Sequence, residues 1–285
     1  MTEEEFRTVL KLSKTQSWVG EKNDEICELL FNDGVDSEQR SLLIDLISRF
    51  EYLNNDKYAE CIVFLAEDII SDPNMKDSNT IVVAMAADSS PDSSQKVLYD
   101  LKPVFEKNEW RKYKKINLFG SIYKNYKTYP KPVKYKNIVL VDEFMGSGQT
   151  ALGRVREVRR VFERAGINDI RIKVKVLVAT EQGLNYMSEC GEEVSSVIVI
   201  NKGISDHYTH EVGPLKIQKM LDLEGSLQDS FNDELLPHLG YGGTESLYCR
   251  DGGNTPNNVF PVFWWPKDEH GKERKRVLIR AMEDA

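Results

Sequence analysis

Apolar positions along this chain fall into two kinds of pattern. Short, nearly unbroken runs stand at Thr80 to Ala87, Ile138 to Val141 and Val194 to Ile200. Runs of four to eight apolar residues bounded by polar turns read as buried strands. At Ile172, Val174, Val176 and Val178, apolar residues alternate with Lys173, Lys175 and Leu177, which reads as another strand. Ile116-Asn117-Leu118-Phe119 is a weaker strand candidate. Between these runs the spacing changes to three and four. Val97, Leu98 and Leu101 share one helical face, and Leu152, Val155, Val158, Val161 and Phe162 share a second, with Gly166 as its stop. Gly183 to Cys190 adds a short helix. Strands alternating with helices predict a parallel α/β sheet flanked by helices.

The flanks differ. Asp36-Ser37-Glu38 reads as a helix start, followed by Leu42, Leu43, Leu46, Ile47 and Phe50 at helical spacing. A second helix spans Tyr58 to Ile70, and Pro73 closes it. These helices read as an appendage packed on the core, with a partner-docking module as the alternative. Val212 to Leu239 has a polar helical pattern. Two glycine-rich loops follow, Gly240-Tyr241-Gly242-Gly243-Thr244 and Asp251-Gly252-Gly253-Asn254, and then an aromatic strand candidate from Val259 to Pro266. The division this predicts is a helical region over 1–78, an α/β core over 79–210 and a C-terminal part over 211–285. Lys272 to Arg276 reads as a solvated basic helical tail.

Composition narrows the class. Hydrophobic residues make up 40% of 285, enough for a proper core. No apolar run approaches a membrane span, and Met-Thr-Glu-Glu-Glu is unlike a signal peptide, so a cytoplasmic protein is expected. Cys27, Cys61, Cys190 and Cys249 are widely separated and read as reduced thiols. A net charge of −8 argues against a general nucleic-acid coat. One segment reverses that sign: residues 111–136 hold nine lysines and arginines and no acid.

Candidate chemistry gathers at the end of the Ile138–Val141 run. Asp142 and Glu143 come next, then Phe144, then Met145-Gly146-Ser147-Gly148-Gln149-Thr150, then a helix. A small-residue turn before a helix lets backbone N–H groups face an anion, aided by the helix dipole. Ser147 and Thr150 add hydroxyl donors. A carboxylate pair beside an anion site suits two vicinal hydroxyls, as in a ribose 5-phosphate. A P-loop fails because no lysine follows the glycines, and a dinucleotide fingerprint fails because Gly146, Gly148 and Gly153 are wrongly spaced. Asp206, His207 and His210 form a weak metal constellation with no third strong partner, and a polar loop is the better reading.

The Ile138–Thr150 run resembles the phosphoribosyl pyrophosphate signature of type I phosphoribosyltransferases. It has four hydrophobics, two acids, two hydrophobics, then small or hydroxyl residues around glycine and a closing Thr. Gly146 and Gln149 are variants of that pattern. The resemblance implies that Asp142 and Glu143 hold the ribose hydroxyls and that Met145 to Thr150 bind the 5-phosphate. It implies an early pyrophosphate loop at Asp88, Ser89, Ser90, Asp92, Ser93 and Ser94, and Mg2+ carried by the pyrophosphate. It also implies a flexible catalytic loop upstream of the signature, which falls on Gly120 to Pro132, with Lys124 and Lys127 facing the leaving group. Three readings of this basic stretch stand side by side: that lid, a single-strand nucleic-acid surface built from Tyr123, Tyr126 and Tyr129 among lysines, and a solvated loop. Asp206, Tyr208, Asn257 and Asn258 correspond to the acceptor side and its covering hood, whose aromatics, Phe260, Phe263, Trp264 and Trp265, read mainly as hood core. The whole pattern also resembles phosphoribosyltransferase-like proteins of bacterial conflict systems, some of them retron-associated. That likeness implies an antiphage effector, or a non-catalytic sensor or nucleic-acid-binding component of a defence complex. A homo-oligomer is a further expectation.

Overall fold

Five strands form the central sheet of the computed structural model, which describes residues 1–87, 90–127 and 135–282. They are β2 (Thr80–Ala84), β3 (Lys114–Ile116), β4 (Asn137–Met145), β5 (Arg171–Thr180) and β6 (Glu193–Ile200), in the spatial order β3-β2-β4-β5-β6. β2 pairs in parallel with both β3 and β4, and β4 pairs in parallel with β5 in the register Ile138↔Ile172 and Leu140↔Val174. The expected parallel α/β sheet is therefore present. Two of its strands differ from the sequence reading. β2 stops at Ala84, three residues short of Ala87, and the weak strand lies at Lys114–Ile116, where Ile116 opens into a helical turn at Phe119–Ser121.

Helices cover both faces of the sheet. α7 (Gln149–Arg164) buries Leu152, Val155, Val158 and Phe162 in one cluster with Ile81, Val83, Ile138, Leu140, Ile172 and Val174. Its end follows from Gly166 at φ +73: Gly166 N donates to Glu163 O and Ile167 N to Phe162 O, closing the last turn. α6 (Ile122–Lys127) joins the same cluster, with Ile122 buried and the rings of Tyr123 and Tyr126 edge-on to Phe162 at 5.4 and 5.0 Å. The expected mobile loop is thus helical over its first half, because those tyrosines have an apolar seat. Residues 128–134, including Tyr129, lie outside the described residues. The opposite face carries α4 (Asn55–Ile70), whose Asp68 and the following Asp72 meet Lys175 and Lys173 of β5 at 2.6 and 2.7 Å. α5 (Ser93–Lys107) lies beside α4, where Tyr58 Oη donates to Asp100.

The chain divides into two compact units, one joining Met1–Asn55 with Ile200–Ala285 and the other running Asp56–Val199. The first holds α1 (Glu3–Ser13), α2 (Asn23–Phe31) and α3 (Ser37–Ser48), the last opened by Asp36 and Gln39 in a capping box. It also holds β1 (Glu51–Leu53), paired in parallel with β9 (Tyr248–Arg250), which ties segments almost two hundred residues apart and has no sequence signal. Within it, α9 (Gly213–Glu224) is shorter than the polar pattern of 212–239 implies, since a two-stranded hairpin, β7 (Ser230–Phe231) with β8 (Glu234–Leu235), takes up the rest. The aromatic segment is no strand. Pro261–Phe263 is a helical turn, and Phe260, Phe263, Trp264 and Trp265 are fully buried in the core. The basic tail is neither helical nor wholly solvated: Arg274 is drawn in, donating to the carbonyls of Trp265 and Val262 at 2.8 and 2.9 Å. Burial holds its guanidinium down at about 10. Among the described residues no helix is long and apolar enough to cross a membrane.

Candidate functional site

Strand order locates the site before any motif is invoked. From β2 the chain moves one way to β3, then returns past β2 to β4, so the order reverses between β2 and β4. In open α/β sheets, ligands bind outside the carboxyl ends of the strands at such a switch point. The described segments emerging there are residues 85–87 and 90–92 after β2 and 146–148 after β4. These are the two loops singled out in the sequence.

The turn after β4 is closely built. Gly148 has φ +76 and immediately precedes the first residue of α7, so the first amides of that helix face outward without intrahelical acceptors. A Cβ on Gly148 would meet Gly183 O at 2.9 Å and the side chains of Met187 and Tyr186 at 3.2 Å. The opposing element is α8 (Glu181–Glu189), capped by Thr180. Thr180 Oγ1 donates to Gly146 O at 2.8 Å and accepts from Gly183 N at 2.9 Å, pinning the turn to the helix. A Cβ on Gly183 would sit 2.0 Å from Gly146 O. Met145, Gly146, Ser147 and Gly148 are buried, and Gln149 and Thr150 are exposed. Sequence reasoning missed Thr180 and Gly183. The signal available for them was a cap-forming Thr at a strand end with Gly three residues on.

The acid pair sits differently from the expectation. β4 does not end at Val141 but runs to Met145, so both acids lie within a strand and project to opposite faces. Glu143 is 2% exposed. Asp142 is part-exposed at the edge of the crevice, and its Oδ1 accepts from Ser93 Oγ at 3.1 Å and from the Glu143 amide at 2.7 Å. Burial, reinforced by the charges of Asp92 and Glu143, pushes the Asp142 carboxyl up to about 8, against the pull of those two hydrogen bonds. The early loop therefore does reach the acid pair. Asp92 caps α5, accepting from Ser94 N at 2.7 Å and from the Ser94 hydroxyl. Ser90 is described and exposed, while Asp88 and Ser89 lie outside the described residues.

The remaining candidates lie on other elements. Lys124 and Lys127 are exposed on α6, and Lys127 Nζ stands 4.4 Å over the Tyr123 ring. In the other unit, Tyr208 Oη donates to Asp45 at 2.5 Å, and Asp45 also pairs with Arg49. Burial and the Asp45 carboxylate push the Tyr208 phenol up to about 12. Asp206 accepts from Lys202 N. Asn258 Nδ2 donates to Tyr241 O and Asn257 O accepts from Tyr241 N, so both asparagines brace the first glycine loop. Among the described residues no group of three or more His, Cys, Asp and Glu side chains is placed to hold a metal.

The PRTase-CE family profile matches residues 15–280. The chain belongs to the PRTase-CE family. No curated protein is similar enough in sequence to count as a relative. Among solved structures, the chain is similar to an orotate phosphoribosyltransferase from Aeropyrum pernix, at 16% identity over 50% of this chain and 71% of that one, with a TM-score of 0.30. It is similar to the xanthine-guanine-hypoxanthine phosphoribosyltransferase of Helicobacter pylori, at 12% identity over 53% and 86%, with a TM-score of 0.32. It is also similar to a hypothetical protein from Neisseria gonorrhoeae solved with bound ppGpp, at 14% identity over 53% and 84%, with a TM-score of 0.33.

Proposed function

We propose that the chain binds a phosphoribosyl ligand, phosphoribosyl pyrophosphate or a nucleotide, at the β2/β4 switch point and transfers or cleaves at ribose C1. The observation that carries this reading is the turn from Gly146 to Gly148. It is left-handed at Gly148, heads a 16-residue helix, and leaves a Cβ at Gly148 only 2.9 Å from a backbone oxygen of α8. Backbone N–H groups of Gly146 to Thr150 hold the 5-phosphate, with the Ser147 and Thr150 hydroxyls beside them. Asp142 holds the ribose hydroxyls. In its neutral form a carboxyl both donates and accepts, which matches a pair of vicinal hydroxyls. Burial above all, with the charge of Asp92 beside it, favours that neutral form. Ser90, Asp92, Ser93 and Ser94 border the pyrophosphate subsite at the head of α5, and Lys124 and Lys127 neutralise the leaving group.

Asp142 and Ser93 would be the chain's hard oxygen donors beside a Mg2+ brought in by the ligand's pyrophosphate, and the ion would supply charge neutralisation there. The resemblance to conflict-system proteins supports an effector role in antiphage defence as the biological setting. Pyrophosphate release from phosphoribosyl pyrophosphate, measured with and without Mg2+ across a panel of bases and with water alone, tests the reading. Mg2+-dependent release supports it. Saturable binding without release assigns the site to a sensor, and neither binding nor release refutes it.

A further inference from the structure

A polar cavity opens at the other end of the sheet. β2, β4 and β5 begin side by side, with Thr80 opposite Asn137 and Asn137 opposite Arg171. The residues there are stitched in the same order: Lys136 N donates to Asn79 O at 3.0 Å, and Arg171 N donates to Lys136 O at 2.7 Å. Around this floor lies an open cavity of about 460 Å³, whose lining includes the amides of Asn74, Asn79, Asn137 and Asn168 with Lys136 and Arg171. That volume is in the range of small-molecule sites. β4 runs nine residues from Asn137 to Met145, so the cavity and the phosphate turn stand about 26 Å apart, at opposite ends of one strand.

Two amides on the floor are fixed in orientation, and each has one end left over. Asn137 is 2% exposed. Its Nδ2 donates to Asn74 O at 2.8 Å and to Asn79 Oδ1 at 2.9 Å, which uses both hydrogens. Its Oδ1 accepts no hydrogen bond among the described residues, yet it is not sealed from solvent. Asn79 Oδ1 also accepts from Lys76 N at 2.9 Å and Thr80 Oγ1 at 3.0 Å, so the free end of Asn79 is Nδ2. A free acceptor and a free donor thus sit on one bonded amide pair. Buried carbonyls are normally paired, so this acceptor calls for a donor from outside the chain. Arg171 adds charge: it is exposed and has no acid partner among the described residues, whereas Lys136 is held by Asp169 at 2.7 Å.

We propose that this cavity is a second ligand site and that it takes a nucleoside monophosphate. A neighbouring acceptor and donor complement the edge of a nucleobase, as when an asparagine meets the amino group and ring nitrogen of adenine. Asn137 Oδ1 and Asn79 Nδ2 receive that edge. The Arg171 guanidinium, free of any carboxylate, receives the phosphate. The site uses none of the residues assigned to the switch point, and it does not rest on the phosphoribosyl reading.

Backbone amide resonances of the full chain, titrated in turn with adenosine, guanosine and uridine monophosphate, test the proposal, together with Asn79→Asp and Arg171→Glu. Asn79→Asp keeps the three hydrogen bonds that Oδ1 accepts and turns the free donor into an acceptor. Arg171 is exposed, so reversing its charge leaves the core intact. At least one nucleotide is expected to give saturable shifts at Asn79, Asn137, Asn168 and Arg171, with affinity weakened about tenfold or more in each variant and the melting curves unchanged. Ribose 5-phosphate, which lacks a base, is expected to leave these amides unmoved. Nucleotide shifts confined to Gly146–Thr150, or none at all, overturn the proposal. Cavity shifts that ribose 5-phosphate reproduces, or that either variant leaves at full strength, overturn it as well.

Discussion

Gly148→Val is the sharpest perturbation of the phosphate turn. At φ +76 a non-glycine residue costs about 1–2 kcal/mol, and a β-branched one belongs at the upper end. The added Cβ would lie 2.9 Å from a backbone oxygen of α8 and 3.2 Å from two side chains, and relieving such overpacking costs about 1–3 kcal/mol. The sum, about 2–5 kcal/mol, is a large share of a typical domain's stability, so the variant is best measured in the cold. Three companions separate the contributions. Gly148→Asn keeps the crowding but relaxes the conformational part, because asparagine tolerates left-handed backbone. Gly183→Ala does the reverse: its φ is not left-handed, but its Cβ would sit 2.0 Å from Gly146 O, so the turn must move. Ser147→Ala removes one hydroxyl and costs about 1 kcal/mol of ligand affinity. Denaturant titration and calorimetry with ribose 5-phosphate on all four give the ranking. Binding should be lost in Gly148→Val and Gly183→Ala and only weakened in Ser147→Ala. Wild-type stability and binding in Gly148→Val would refute the reasoning.

Asp142→Asn should stabilise the protein. The carboxyl sits at about 8 in the fold but near 3.9 in an unfolded chain, so between those values the folded state alone holds a proton, and wild-type stability falls as pH rises through that window. The variant lacks this loss. Its advantage should be small near pH 4 and reach about 1–3 kcal/mol by pH 8, after discounting for partial exposure, as read from denaturation midpoints. An advantage that shrinks with rising pH would contradict the assignment. Arg274→Ala should cost about 3 kcal/mol, because two buried carbonyls lose a charged donor. A midpoint unchanged in denaturant would show the clamp to be idle. Lys124→Ala and Lys127→Ala should slow pyrophosphate release about tenfold or more while sparing ribose 5-phosphate affinity. Equal losses in both assays would place these lysines on the 5-phosphate instead.

The sheet was readable because its long strands carry apolar runs or, in β5, an apolar–polar alternation, and α7 because its buried stripe repeats every three or four residues. The turn from Met145 to Thr150 was readable because small and hydroxyl residues between a strand and a helix suit an anion. What escaped was whatever depends on distant partners. Three residues of β1 carry no pattern of their own and exist as a strand only because β9 lies beside them. The tyrosines of α6 read as a mobile or stacking surface until Phe162 supplied their seat. The acid pair read as a strand terminus because polarity rose at Asp142, yet hydrogen bonding to β5 carries β4 three residues further. Thr180 and Gly183 went unseen because their role is to press against a turn more than thirty residues away.

The central claim is that the amides from Gly146 to Thr150 receive the phosphate of a ribose 5-phosphate. Titrating ribose 5-phosphate into the isotopically labelled protein while recording backbone amide resonances tests this directly. The account predicts saturable shifts that are largest at Gly146, Ser147, Gly148, Gln149 and Thr150, with smaller ones at Ser93 and Asp142, and none of them in Gly148→Val. Shifts that fail to saturate, or that centre away from the β2/β4 switch point, would contradict it.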